Sequence, residues 1–232
     1  MSSTEQLPLS VMLDDRCDFA NFYSHNNDEL LEVMQQFLTD STETVMFIWG
    51  DRGVGKTHLL QASCYAAQEA SRKTAYMDCV QLMWAPEQFI DVVQSVSLLC
   101  VDHVEAVLQD QAWQEALFFA FNHLKQSQKQ LILASGSNPR HLAMSLEDLR
   151  SRFSWGVIYQ VQSLNDDDKI AVLQMRAKRR GLSLNKDVAQ YLLVHLPRNM
   201  KDLIAVLEKL DVASLAAQRS LTIPFVKQVL GC

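Results

Sequence analysis

The segment GDRGVGKT, residues 50–57, carries the first chemistry legible in the chain. Gly50, Gly53 and Gly55 permit backbone angles that a Cβ obstructs, and Asp51, Arg52 and Val54 complete the loop between them. Lys56 brings a cation to β and γ phosphates, and Thr57 offers a hydroxyl to Mg²⁺. A helix opened by Lys56, Thr57 and His58 points its free amides and positive dipole end at the same anion. Such a loop needs a second acid on the metal side. Asp102, closing the apolar run LLCVD, is placed to hold Mg²⁺ through water. Hydrolysis further needs a group that activates or orients the attacking water. The residue after Asp102 is His103, whose neutral imidazole accepts a proton but lacks a carboxylate's charge; an ordinary surface histidine in a turn is the competing reading. Glu105 shares the face of His103 if the segment is extended, and is a substitute base.

A third constellation is EDLRSRFSWG, residues 147–156, with Arg150 and Arg152 two apart, between a helix and the last strand. On a helical surface two such side chains diverge, so only one serves a given ligand. An arginine on an exposed rim can enter a neighbouring subunit's nucleotide site and neutralise charge developing on the γ phosphate. The alternative is a salt-bridged surface arginine.

These groups must be held by a sheet. Residues 45–49 form a short buried strand ahead of the loop. Further strands are expected at 74–77, 96–101 closing on Asp102, 131–134 and 157–161. Helices are expected at 28–38, from 56 onward, at 86–93 and at 111–125, the last with Trp113, Leu117, Phe121 and Leu124 on one face. Alternation of strand and helix demands right-handed crossovers and a mostly parallel α/β sheet, with ligands at the carboxyl ends of its strands. From Asn165 onward the pattern is helical only: 166–179 ended by Gly181, 186–196 ended by Pro197, 200–217, and 224–230 capped by Thr222. The expected organisation is a flexible tail at 1–16, an α/β nucleotide-binding domain at 17–163 and a small helical domain at 164–232.

Composition narrows the function. A chain of 232 residues that is 48% hydrophobic can bury a substantial core. Acidic residues outnumber basic ones by 27 to 21, so direct binding of nucleic acid is not expected. Cys17, Cys64, Cys79, Cys100 and Cys232 are odd in number and lack CxxC spacing, and are read as reduced core residues. No basic leader and no apolar run of membrane length is present, so the expected location is the cytoplasm, with no membrane partner.

Together these motifs resemble the AAA+ ATPases of the DnaA family, which holds the replication initiator DnaA and its shorter relative Hda. Phe19-Ala-Asn-Phe22 resembles the family's F-x-N-F turn beside the adenine pocket, which implies a nucleotide contact for Phe22. GDRGVGKTHLL resembles its Walker A, LLCVDHVE its Walker B, ILASGSNP its sensor 1 with Ser135, LRSRFSWG its arginine-finger box, and RNMKDLIAVL its sensor 2 helix with Lys201. The resemblance implies an AAA+ P-loop sheet followed by a helical lid, ADP or ATP with Mg²⁺ as ligands, and Arg152 as the arginine finger. QLPLS near the amino end resembles the peptide by which Hda docks on the sliding clamp, with Gln6, Leu7 and Leu9 matching.

The departures also carry meaning. His103 stands where DnaA-like chains have a second aspartate, Gly136 after Ser135 stands where they have a sensor 1 aspartate, and Lys201 replaces the sensor 2 arginine. The first two weaken water activation on the chain's own nucleotide; the third keeps the charge and loses bidentate contact. DnaA continues into a helix-turn-helix domain, whereas this sequence stops at Cys232, so a complete initiator is not expected. The resemblance therefore implies a regulator that, with the clamp, stimulates hydrolysis of DnaA-bound ATP through Arg152; a homo-oligomer is allowed. The rival readings are an autonomous ATPase motor or loader and an adaptor with a vestigial nucleotide site.

Overall fold

The structure is a computed structural model that describes residues 17–40, 42–81, 85–197 and 199–231. Five strands form one sheet: β1 (Val45–Trp49), β2 (Thr74–Asp78), β3 (Leu98–Asp102), β4 (Gln130–Ser135) and β5 (Val157–Gln160). Their order is β2-β3-β4-β1-β5, and every pairing is parallel. Parallel neighbours require crossovers. These are supplied by α2 (Lys56–Glu69), α3 (Pro86–Ser95), α4 (Gln111–Gln126) and α5 (Glu147–Phe153), while α1 (Asp28–Thr39) precedes β1. The interior strands β3 and β4 are buried along their whole length, whereas the edge strand β5 is half-buried, as its position at the rim dictates.

One face of the sheet packs Phe47, Val101 and Leu133 against Phe89, Trp113, Leu117 and Phe121 of α3 and α4 and against Phe153 of α5. The Phe47 and Phe153 rings lie 5.4 Å apart, tying α5 to the central strand. Cys64, Cys79 and Cys100 are free and buried, as expected for reduced core residues, whereas Cys17 is only half-buried and Cys232 lies outside the described residues. At the amino ends of the strands Arg72 donates to the carbonyls of Leu38 and Ser97 and to the Gln130 side chain, which makes it a structural clasp on the far side from the phosphate loop.

Two local expectations are corrected. Arg150 and Arg152 lie within the short helix α5 rather than after a helix, because Leu149 and Phe153 bury one helical face and draw the segment into about two turns. The stretch after Asp102 is not extended: Val104–Ala106 is a 3₁₀ turn with Val104 buried beneath it. Glu105 is therefore not aligned with His103 on a strand face.

The chain divides into two compact units, the second comprising Ser163–Cys232 with Arg52–Val54 grouped with it. Within it run α6 (Asp166–Arg179), α7 (Lys186–His195), α8 (Met200–Ala217) and α9 (Ile223–Leu230). Each begins at a polar cap: Asn165, Asn185, Asn199 and Thr222 accept from the amides of Asp168, Val188, Asp202 and Phe225. Leu173, Leu192, Leu203, Leu207 and Val226 are fully buried among these helices. Among the described residues, no helix is long and apolar enough to cross a membrane.

Candidate functional site

Parallel strands deliver their carboxyl ends to one edge, and there the register sets Trp49 beside Ser135 and Asp78 beside Asp102. The loop leaves β1 at Gly50, whose amide donates to the Ser135 carbonyl at 3.3 Å. It closes at Gly55, the N-cap of α2, with φ of +103°. A Cβ at Gly55 would stand 2.7 Å from the Phe22 ring, so glycine is required both by the backbone angle and by the aromatic packed on it. The Phe22 turn is itself fixed to α2: Asp18 caps it through the Asn21 amide, and His58 Nε2 lies 2.8 Å from the Asp18 carbonyl, so that nitrogen donates. The Phe22 and His58 rings are 5.6 Å apart. Among the described residues no side chain caps α2, which leaves its first amides for an anion.

Lys56 is buried, and its Nζ donates to the carbonyls of Gly50 at 2.7 Å and Asp51 at 2.9 Å. Burial lowers its pKa, opposed by the negative charge of Asp102, Glu105 and Asp51. In the rest of the loop Asp51, Arg52 and Gly53 are exposed and Val54 is buried. The Thr57 hydroxyl donates to Asp102 Oδ2 at 2.6 Å, so the two groups read as metal-side partners from sequence are in direct contact. Asp102 is completely buried and accepts two further bonds, from the Tyr76 hydroxyl at 3.1 Å and the His103 amide at 2.9 Å. Burial, chiefly, and the Asp102 charge push the Tyr76 phenol far up, so it is a permanent donor.

His103 adopts a left-handed backbone, φ +52°, and its Nδ1 lies 3.0 Å from Asp78 Oδ1. Glu105 turns toward the neighbouring strand end, where its Oε1 accepts from the Gly136 amide at 3.0 Å. Its other oxygen is buried without a hydrogen-bond partner among the described residues. The Ser135 hydroxyl is buried and bonds within its own turn, to the Ser137 carbonyl and amide. Lys201 is exposed on α8 of the second unit. Gln6, Leu7 and Leu9 lie outside the described residues.

The two arginines of α5 differ sharply. Arg150 donates to the Met144 carbonyl at 2.6 Å and pairs with Glu147 at 3.6 Å, which binds it to its own turn. Arg152 sits over aromatic rings, 4.4 Å from the centroid of Trp155 and 5.5 Å from that of Phe121. Its guanidinium has no carboxylate or carbonyl partner among the described residues.

Tyr76, Asp78 and Trp155 were not singled out in the sequence. Asp78 had a signal: like Asp102 it is an acid closing an apolar strand, TAYMD against LLCVD. Tyr76 had none, since its hydroxyl meets Asp102 only through the pairing of β2 with β3.

Two family models match. The bacterial DnaA ATPase domain matches residues 13–160, and the Hda lid domain matches residues 166–230. Among solved structures, AMPPCP-bound DnaA from Aquifex aeolicus shares 28% identity at a TM-score of 0.73, over 85% of this chain and 66% of that one. The replication initiator DnaA bound to AMPPCP and single-stranded DNA gives the same identity and TM-score, over 85% and 65%. This chain thus spans just under two thirds of the length of those relatives. Domain III of the Thermotoga maritima DnaA superimposes at a TM-score of 0.78 with 22% identity, over 94% of this chain and 97% of that one, a likeness of fold. With a parallel five-stranded sheet, a glycine loop leading into α2 and a model match covering more than half its length, the chain belongs to the DnaA family of AAA+ ATPases and carries a lid domain of the Hda type.

Proposed function

We propose that this chain binds an adenine nucleotide and regulates replication initiation in trans, inserting Arg152 into the ATP site of DnaA so that hydrolysis leaves the inactive ADP form. Family membership and the Hda-type lid support a role in the initiation of DNA replication. The observation that carries the finer reading is the contrast within α5: Arg150 is tied through one terminal nitrogen to the Met144 carbonyl and Glu147, whereas Arg152 lies over aromatic faces with no carboxylate or carbonyl partner among the described residues. A guanidinium fork so held suits charge developing on a γ phosphate. Docking on the sliding clamp belongs to Gln6, Leu7 and Leu9.

The chain's own nucleotide rests on the same chemistry as its relatives' AMPPCP. Free α2 amides and Lys56 would hold the phosphates, and Phe22 and His58 would flank the base. Thr57 and Asp102 fit Mg²⁺, since a hydroxyl and a carboxylate oxygen 2.6 Å apart are hard donors on one side of a site, and Mg²⁺ needs few protein ligands. Bound there it would neutralise phosphate charge.

A second reading, hydrolysis of its own ATP, is favoured by one contact: Asp78 Oδ1 holds His103 Nδ1 at 3.0 Å, with Asp102 Oδ1 3.6 Å from the same nitrogen, as a carboxylate orients a working imidazole. The test is ADP formation from ATP-loaded DnaA with clamp and DNA, with and without this chain. Stimulation that survives Arg150→Ala and disappears in Arg152→Ala supports action in trans. Hydrolysis by this chain alone, abolished by His103→Ala, supports the rival motor. A chain that stimulates without binding nucleotide would be the adaptor with a vestigial site.

A further inference from the structure

We propose that Trp155 is a positioning residue for Arg152, holding the guanidinium by its π face so that the N–H edge stays available to an incoming phosphate. The inference rests on the reading of Arg152 as the group that acts on a neighbouring ATP site.

A flexible arginine on a short surface helix would ordinarily be held by a carboxylate, and that contact consumes the same donors a phosphate needs. Here the restraint is of another kind. The Arg152 guanidinium lies 4.4 Å from the Trp155 centroid and 5.5 Å from that of Phe121. Attraction to the ring quadrupole holds the cation against the aromatic rings without a hydrogen bond, and among the described residues its N–H groups meet no carboxylate or carbonyl. Preorganisation of this sort removes the cost of ordering the side chain when the phosphate arrives.

The indole is itself fixed from several sides. Its backbone amide donates to the Arg152 carbonyl at 3.0 Å, which sets ring and guanidinium in one turn. Gly156, next in the chain, has φ of +78°, and a Cβ there would come within 2.4 Å of the Val45 carbonyl oxygen, so this turn is pressed directly on β1. The buried Phe121 meets the indole edge-on at 6.4 Å and 72°. Lys125 Nζ stands 4.5 Å from the same ring. Despite these contacts Trp155 is 45% exposed, a large apolar surface left in water.

The test separates the aromatic face from bulk. Stimulated hydrolysis of DnaA-bound ATP, with clamp and DNA present, is measured for Trp155→Phe, Trp155→Leu and Trp155→Ala across a titration of the chain. The expected result is about tenfold lower turnover for Leu and Ala with the half-saturating concentration unchanged, and most of the turnover kept by Phe. Full turnover in Trp155→Leu while Arg152→Ala is inactive overturns this inference and leaves the finger reading standing. A raised half-saturating concentration at full turnover also overturns it, since Trp155 would then be a docking contact. Unimpaired stimulation by Arg152→Ala overturns both together. Should Trp155→Ala fold poorly, the comparison of Leu with Phe still decides, because both fill the site and only one offers a π face.

Discussion

Replacing Lys56 by alanine isolates the ammonium from the loop that carries it. Its Nζ makes two bonds, to the Gly50 and Asp51 carbonyls of the loop itself. A hydrogen bond to a charged group contributes about 1.5–3 kcal/mol. At about 1.4 kcal/mol per tenfold, loss of the phosphate contact weakens nucleotide affinity about 10- to 140-fold. The fold should lose far less, because the same burial that lowers the lysine's pKa opposes the charge in the empty protein. With fewer protons bound in the folded state than in the unfolded, stability of the nucleotide-free protein rises with pH from the lowered value up to the ordinary lysine value of 10.5, and Lys56→Ala abolishes that rise. Isothermal titration with ADP and ATP measures the affinity, and urea titrations at several pH values measure the rest. Affinity within threefold of the parent, in a protein that melts normally, would refute the placement of Lys56 against phosphate.

Other substitutions probe the elements around the site. Gly156→Ala combines a left-handed backbone, about 1–2 kcal/mol, with a clash on the Val45 carbonyl, about 1–3 kcal/mol, so urea unfolding should show a loss of about 2–5 kcal/mol. A loss below 1 kcal/mol would mean that the turn relaxes freely. Tyr76→Phe removes one of the three bonds on buried Asp102 and should cost about 1.5–3 kcal/mol in the same assay while leaving the secondary structure unchanged by circular dichroism. An unchanged midpoint would place the phenol outside the network. Gln6→Ala combined with Leu7→Ala should abolish capture on immobilised clamp and leave ADP affinity intact; retained capture would move the clamp contact elsewhere.

The glycines, Lys56, Thr57 and Asp102 were legible in the sequence because their chemistry is local: a loop between an apolar strand and a helix has few other uses. The strand at 45–49, the strand expected at 96–101 and found at 98–102, and the helices of the second unit were legible for a similar reason, since burial on both faces and polar caps leave direct marks in residue order. Contacts across strands leave no such mark. Tyr76 reaches Asp102, and Asp78 reaches His103, only because β2 and β3 pair in a register set by the whole sheet. Glu105 turns to Gly136 because Val104 is drawn into the core and winds the chain into a 3₁₀ turn, against the extended path its sequence allowed. Spacing likewise left Arg150 and Arg152 equivalent. The structure separated them: Arg150 turns back on the Met144 carbonyl and Glu147 of its own segment, whereas Arg152 lies over Trp155 and over Phe121, which the packing of α4 brings to it, and aromatic faces hold a cation without satisfying its donors.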